Sequence, residues 1–80
     1  MSNSQVFTVT GAVLENLPNA MFRVRVNDPA RPELHEKVVL GYLSGKARLH
    51  YVRLLPGDQV KCEMSPLDLS KARITFKLNK

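Results

Sequence analysis

The residues best able to do chemistry lie in one short stretch, Tyr42-Leu-Ser-Gly-Lys-Ala-Arg-Leu-His-Tyr-Val-Arg53. It sets Lys46, Arg48 and Arg53, with His50, beside Tyr42 and Tyr51, and no acid interrupts it. Fixed cations attract phosphates whatever the sequence, an arginine also forks onto two oxygens or lies flat on a base, and a tyrosine ring stacks. That mixture points to a partner presenting phosphates and bases together, RNA before any small substrate. A merely solvated helix face is the plainer alternative, and the lack of acids between Lys46 and Arg53 disfavours it. Tyr42 and Tyr51 either stack on bases or pack inward, and the helical spacing of Tyr51 with Ala47 and Leu54 favours the core for it.

Other reactive groups form no constellation. With a single cysteine, His35 and His50 offer no pair of ligands at structural-zinc spacing, and no metal or other cofactor is expected. Cys62 lies on the apolar side of Val60-Lys-Cys-Glu-Met64, which predicts a small buried hydrophobe, not a nucleophile. The acids fall mostly in turns and loops, Asp58 after Pro56-Gly57 among them. Catalysis has no support, and a non-enzymatic binding role is the expectation.

Charge agrees with an acidic partner. The net charge is +5, and Lys37 to Lys80 holds nine Lys and Arg against three Asp and Glu, whereas Met1 to Glu36 holds three against four. A second half so lopsided attracts polyanions at long range. Eighty residues bound the chain to one domain, here 6–80 behind a loose tail at 1–5, burying roughly 60–65% of its unfolded surface. A lone thiol, no apolar run near the ~20 residues of a membrane span and no signal-peptide segment together predict an intracellular, soluble protein with no membrane partner.

The elements that must position these side chains read mainly as strands. Val6 to Leu14, Met21 to Val26, Lys37 to Leu43, Gln59 to Met64 and Ala72 to Leu78 alternate apolar with polar residues. Gly11 is expected to mark a bulge or bend, Leu17 to Ala20 a turn, and the proline-bearing stretch Asn27 to Glu36 the most mobile loop. Ser44 is placed to cap a short helix through Lys46 to Arg53, and Ser65 to Lys71 reads as a loop. Phe7, Phe22 and Phe76 are expected in the core. Arg23 and Arg25 on the second strand, and Arg73 and Lys77 on the fifth, face outward and border one groove if those strands share a surface.

Five strands with a helix between the third and fourth is the order of the all-β OB-fold, a Greek-key barrel that binds oligonucleotides, with an SH3-like barrel as the alternative. Three stretches in that order resemble bacterial and plastid translation initiation factor one: Gly11-Ala-Val-Leu-Glu-Asn-Leu-Pro-Asn-Ala-Met-Phe-Arg-Val24; Ser44-Gly-Lys46 with Tyr51-Val-Arg-Leu-Leu-Pro-Gly-Asp58; and Asp68-Leu-Ser-Lys-Ala-Arg-Ile74. The resemblance implies a factor that occupies the A site of the small ribosomal subunit and performs no chemistry. It implies contacts to rRNA and a neighbouring ribosomal protein, cooperation with the other initiation factors, and a block on premature tRNA entry. The rRNA-facing positions it implies are Arg23, Lys46, Arg48, Tyr51, Arg53, Lys71 and Arg73. It further implies a monomer when free, in a bacterial cytoplasm, with the plastid stroma as the alternative to which Gly41-Tyr42 leans. The chain departs from the family pattern at Ala47, Leu49, Leu67 and Ala72 and in the longer loop at 27–36. The competing class is a generic RNA-binding or protein-interaction barrel, using an exposed strand edge or that loop.

Overall fold

A computed structural model describes residues 5–50 and 54–78, with the side chains of Lys46 and His50 outside that description. Five strands form a closed barrel: β1 (Phe7–Leu17), β2 (Met21–Val26), β3 (Val38–Leu43), β4 (Gln59–Ser65) and β5 (Asp68–Lys77). One helix, α1 (Gly45–His50), stands between β3 and β4. The order around the barrel is β1-β2-β3-β5-β4, closed by β4 on β1, and only the β3–β5 pair is parallel. This is the five-stranded OB-fold that the element order predicts. Each strand has a partner on both sides, so the exposed strand edge of the competing reading is absent from the described residues.

Alternation builds the core. Val9 and Val13 of β1, Phe22, Val24 and Val26 of β2, Val39 and Leu43 of β3, Val60, Cys62 and Met64 of β4, and Ala72 and Ile74 of β5 point inward and are buried. No polar side chain is buried among them. Cys62 is 1% exposed, as its alternation predicts, and burial pushes its thiol up to about 12.

β1 runs past Leu14 to Leu17 because its bulge falls between Val13 and Glu15, not at Gly11. Beyond the bulge, Glu15, Asn16 and Leu17 pair with Arg23, Phe22 and Met21 around a turn in which Asn19 and Ala20 have φ of 65° and 58°. Gly11 serves close approach instead. It pairs with both β2 and β4, and a Cβ there would stand 2.8 Å from the Arg25 carbonyl oxygen and 2.8 Å from Val24 Cγ1.

The stretch at 27–36, expected to be mobile, is tied to the barrel. The Thr10 N–H donates to Asp28 Oδ2 at 3.2 Å, and the Asn27 amide donates to Gln59 Oε1 at 3.2 Å. A 3-10 turn at Pro32–Leu34 buries Leu34, and the Arg31 guanidinium lies 4.4 Å from the centre of the Phe7 ring.

Two further expectations change. β5 begins at Asp68, not Ala72, so 65–71 is a tight hairpin in which Ser65 pairs with Asp68. Asp68 to Lys71 are all exposed, so the half-buried alternation that marks a strand is missing there. Phe76 is 48% exposed, not core, because β4 and β5 slip between Lys61 and Cys62: Cys62 pairs with inward Ile74, but Phe76 pairs with outward Lys61. One extra residue in a ladder turns the next side chain to the other face.

Candidate nucleic-acid interface

The cap at Ser44 fixes where the basic stretch leaves the sheet. Ser44 Oγ accepts the Ala47 N–H at 3.0 Å, its carbonyl accepts the Arg48 N–H at 2.9 Å, and its own N–H donates to the Ile74 carbonyl at 2.9 Å. The helix therefore starts against β5, one residue beyond Arg73. Its inward Ala47 is fully buried and its outward Arg48 is exposed, with Leu49 beside it at 80%. Lys46 lies in this helix, whereas its side chain, and Tyr51 and Arg53 altogether, fall outside the described residues.

The strand cations lie on the outer face of adjacent β2, β3 and β5. Register aligns Arg23 with Leu40 and Leu40 with Lys71 in one row. The next row runs Met21, Tyr42, Arg73, Glu63. Arg23, Lys71 and Arg73, on separate strands in the sequence, thus share one surface with Arg25, and Tyr42 faces out among them at 38% exposure. Tyr42 is not a core residue. Lys77 does not join this surface, because its ammonium lies 3.5 Å from Asp58 Oδ2, where the Pro56-Gly57 turn meets the last residues of β5.

Arg23 and Arg73 each carry an acidic partner that sequence reading overlooked. Arg23 Nε donates to Glu15 Oε2 at 2.6 Å, and Arg73 Nη2 to Glu63 Oε1 at 2.5 Å. The hydrogen bond from Arg73 to Glu63 raises the Arg73 pKa above its ordinary value. The Glu15 pairing was accessible in principle, since counting back from a turn centred on Asn19 sets Glu15 opposite Arg23. The Glu63 pairing was not, because an irregularity between Glu63 and Ser65 shifts the β4–β5 register.

A groove of about 330 Å³ opens beside Tyr42, with Lys71 and Arg73 on it and Glu63 and Asp68 as its acids. The Ser70 hydroxyl and backbone N–H both donate to Asp68 Oδ1 and hold its carboxyl below the usual range. Among the described residues no group of three His, Cys, Asp or Glu side chains is placed to hold a metal ion. No helix among them is long and apolar enough to cross a membrane. The positions where the chain departs from the resemblance divide by burial: Ala47 and Ala72 point inward, and Leu49 and Leu67 lie on the surface.

A closed five-stranded barrel of this strand order, with a cationic, aromatic outer face, defines a protein of the OB-fold class. The family model described as translation initiation factor 1A / IF-1 matches residues 2–80, and the chain belongs to that family of translation initiation factors. Among solved structures it is similar to bacterial translation initiation factor one from the Wolbachia endosymbiont strain TRS of Brugia malayi, at 35% identity and a TM-score of 0.67. That match covers 96% of this chain and 82% of the other. Two more distant likenesses share the fold. YjeQ from Thermotoga maritima matches at 24% identity and a TM-score of 0.66, over 92% of this chain and 23% of YjeQ. A copper(II)-bound variant of CusF from Escherichia coli, with one tryptophan changed to alanine, matches at 16% identity and a TM-score of 0.60, over 100% of this chain and 99% of CusF.

Proposed function

We propose that the chain, folded as one domain over 6–80, acts by occupying the A site of the small ribosomal subunit. Its rRNA contacts come from Arg23, Lys46, Arg48, Tyr51, Arg53, Lys71 and Arg73. A preformed barrel seated there blocks premature tRNA entry by exclusion, leans on a neighbouring ribosomal protein and assists the other initiation factors. It performs no chemistry, needs no cofactor, and works as a free monomer wherever its ribosomes are, the bacterial cytoplasm or the plastid stroma. One observation carries this reading within the family: β2, β3 and β5 are neighbours, so Arg23, Lys71 and Arg73 form one surface that ends at the capped start of the basic helix.

Affinity from phosphate contacts falls steeply with salt, by about 0.7–0.9 in the log–log slope for each phosphate neutralised. Sedimentation with purified small subunits across a salt series tests partner and mechanism together. We expect binding that declines steeply with salt and is strongly reduced in Arg48→Glu and Arg53→Glu. Salt-insensitive binding, or unchanged binding in both variants, sinks the proposal.

A further inference from the structure

Two acids frame the cationic face, one on each flank. One row across the sheet runs Glu15 on β1, Arg23 on β2, Leu40 on β3 and Lys71 on β5. The next runs Met21 on β2, Tyr42 on β3, Arg73 on β5 and Glu63 on β4. Each row thus ends in a glutamate, at opposite ends, and each glutamate is bonded to the arginine beside it. Glu15 Oε2 accepts from Arg23 Nε at 2.6 Å, and Glu63 Oε1 accepts from Arg73 Nη2 at 2.5 Å. The four side chains are 31–54% exposed, and pairs so open to water contribute little to folding. No charged side chain is buried among the described residues, so neither acid is needed to compensate one. A face built for affinity alone would leave these guanidiniums unopposed.

We propose that Glu15 and Glu63 are specificity-determining residues, which restrain Arg23 and Arg73 from loose phosphate chains and leave them available to a folded RNA. A carboxylate repels phosphate at contact range, yet it accepts hydrogen bonds from ribose 2′-hydroxyls and base amino groups. A guanidinium has several N–H donors, so one given to a glutamate leaves others for phosphate. Each pair therefore presents donor and acceptor side by side, which matches an RNA surface carrying phosphate and hydroxyl at fixed neighbouring points. A flexible strand is held mainly through its phosphates, and the same acids only oppose it. Such discrimination matters to a chain of net charge +5, which any polyanion attracts. This role rests on the rRNA-binding reading and deepens it, because it decides which RNA the face retains.

The test uses the full chain with Glu15→Gln, Glu63→Gln and the two combined, beside Glu33→Gln. Glutamine keeps the size of each side chain and removes its charge. Glu33 is 62% exposed on the 27–36 loop, so its replacement raises the net charge equally from outside both rows. Binding of a fluorescein-labelled uridine octamer is followed by anisotropy at low salt, and binding to purified small subunits by co-sedimentation. Two exposed pairs of ordinary strength correspond to octamer binding about 2- to 30-fold tighter in the double variant. Each single variant gains part of that, and Glu33→Gln gains less than either. Subunit binding by the double variant stays within about twofold of the parent, because the charged acceptors lost offset the repulsion removed. Octamer binding unchanged or weaker in the double variant, an equal gain in Glu33→Gln, or subunit binding that tightens as much as octamer binding each overturn the role. Parent subunit binding that persists in any of those cases leaves the A-site proposal standing. A parent that binds no subunits overturns the A-site proposal alone, and the octamer gain with its Glu33→Gln control still decides the restraint on the arginines.

Discussion

Replacing Glu63 by Gln should tighten RNA binding, although it removes the ion-pair partner of a residue assigned to the interface. The pair joins Arg73 and Glu63 at 2.5 Å, with their side chains 49% and 31% exposed. Exposed pairs of this kind contribute roughly 0.2–1 kcal/mol, because water screens them and both side chains lose freedom. A phosphate competing for the guanidinium must overcome that amount, and it also meets the Glu63 carboxylate on the groove. Glutamine keeps the shape and removes the charge.

Freeing the arginine should therefore raise affinity for a fluorescein-labelled uridine octamer by up to about fivefold, which is 1 kcal/mol expressed as a ratio. The salt slope should stay the same, because the number of phosphates neutralised does not change. Arg73→Ala should instead weaken binding and flatten the log–log slope by about 0.7 for a single strand. Stability should fall modestly in Glu63→Gln, by about 1–8 °C in melting temperature, given ~4–8 °C per kcal/mol for a domain of this size. Anisotropy titrations at four salt concentrations measure both affinity and slope. Weaker binding in Glu63→Gln would show that the carboxylate positions the guanidinium, and an unchanged slope in Arg73→Ala would remove Arg73 from the interface. Either result refutes the argument that the arginine is handed over to phosphate.

The buried thiol makes a pH prediction. Cys62 is pushed from an ordinary 9.0 up to about 12, so the unfolded chain loses its proton first, and stability should fall as pH rises from 9 towards 12. At pH 8 a thiol reagent should label the native protein only at its opening rate and the urea-unfolded protein immediately; rapid native labelling would contradict burial. Gly41→Ala should destabilise by about 1–3 kcal/mol, since the added Cβ would stand 2.9 Å from Val24 Cγ2 and 3.1 Å from Ile74 Cδ1 in a packed interior. A denaturant midpoint unchanged from the parent would show that the barrel yields there at no cost.

What the sequence made legible follows from which strands are half-buried. Met21–Val26, Val38–Leu43 and Gln59–Ser65 each alternate cleanly between core and solvent, and each lies within a residue of its expected place. Ser44 announced its helix because a hydroxyl there satisfies an N–H that the first turn leaves open. The errors sit where alternation stops carrying information. Phe76 follows inward Ile74 by two residues, yet an irregular ladder turns it out. Asp68 to Lys71 extend the hairpin beyond the core, where solvent on both faces erases the pattern. Arg23, Lys71 and Arg73 entered the site through family resemblance, since no local spacing shows that β3 lies against β5.

That parallel pair is where fold and function meet. Tyr42 and Arg73 are 31 residues apart and become neighbours only when the barrel closes through Gly41 against Ala72 and Leu43 against Ile74. The same closure delivers the Ile74 carbonyl to the Ser44 N–H, so the helix cap, the aromatic residue and the strand cations are fixed by one seam. Long-range pairing of this kind costs loop-closure entropy that local propensity cannot repay, and the buried residues either side of the seam must supply it. A lesion inside the seam therefore disturbs the interface without touching a cation, whereas a lesion on the outer face changes binding and leaves the barrel intact. The two classes separate in a plot of affinity against stability: seam variants lose both together, and surface variants change affinity with little change in stability.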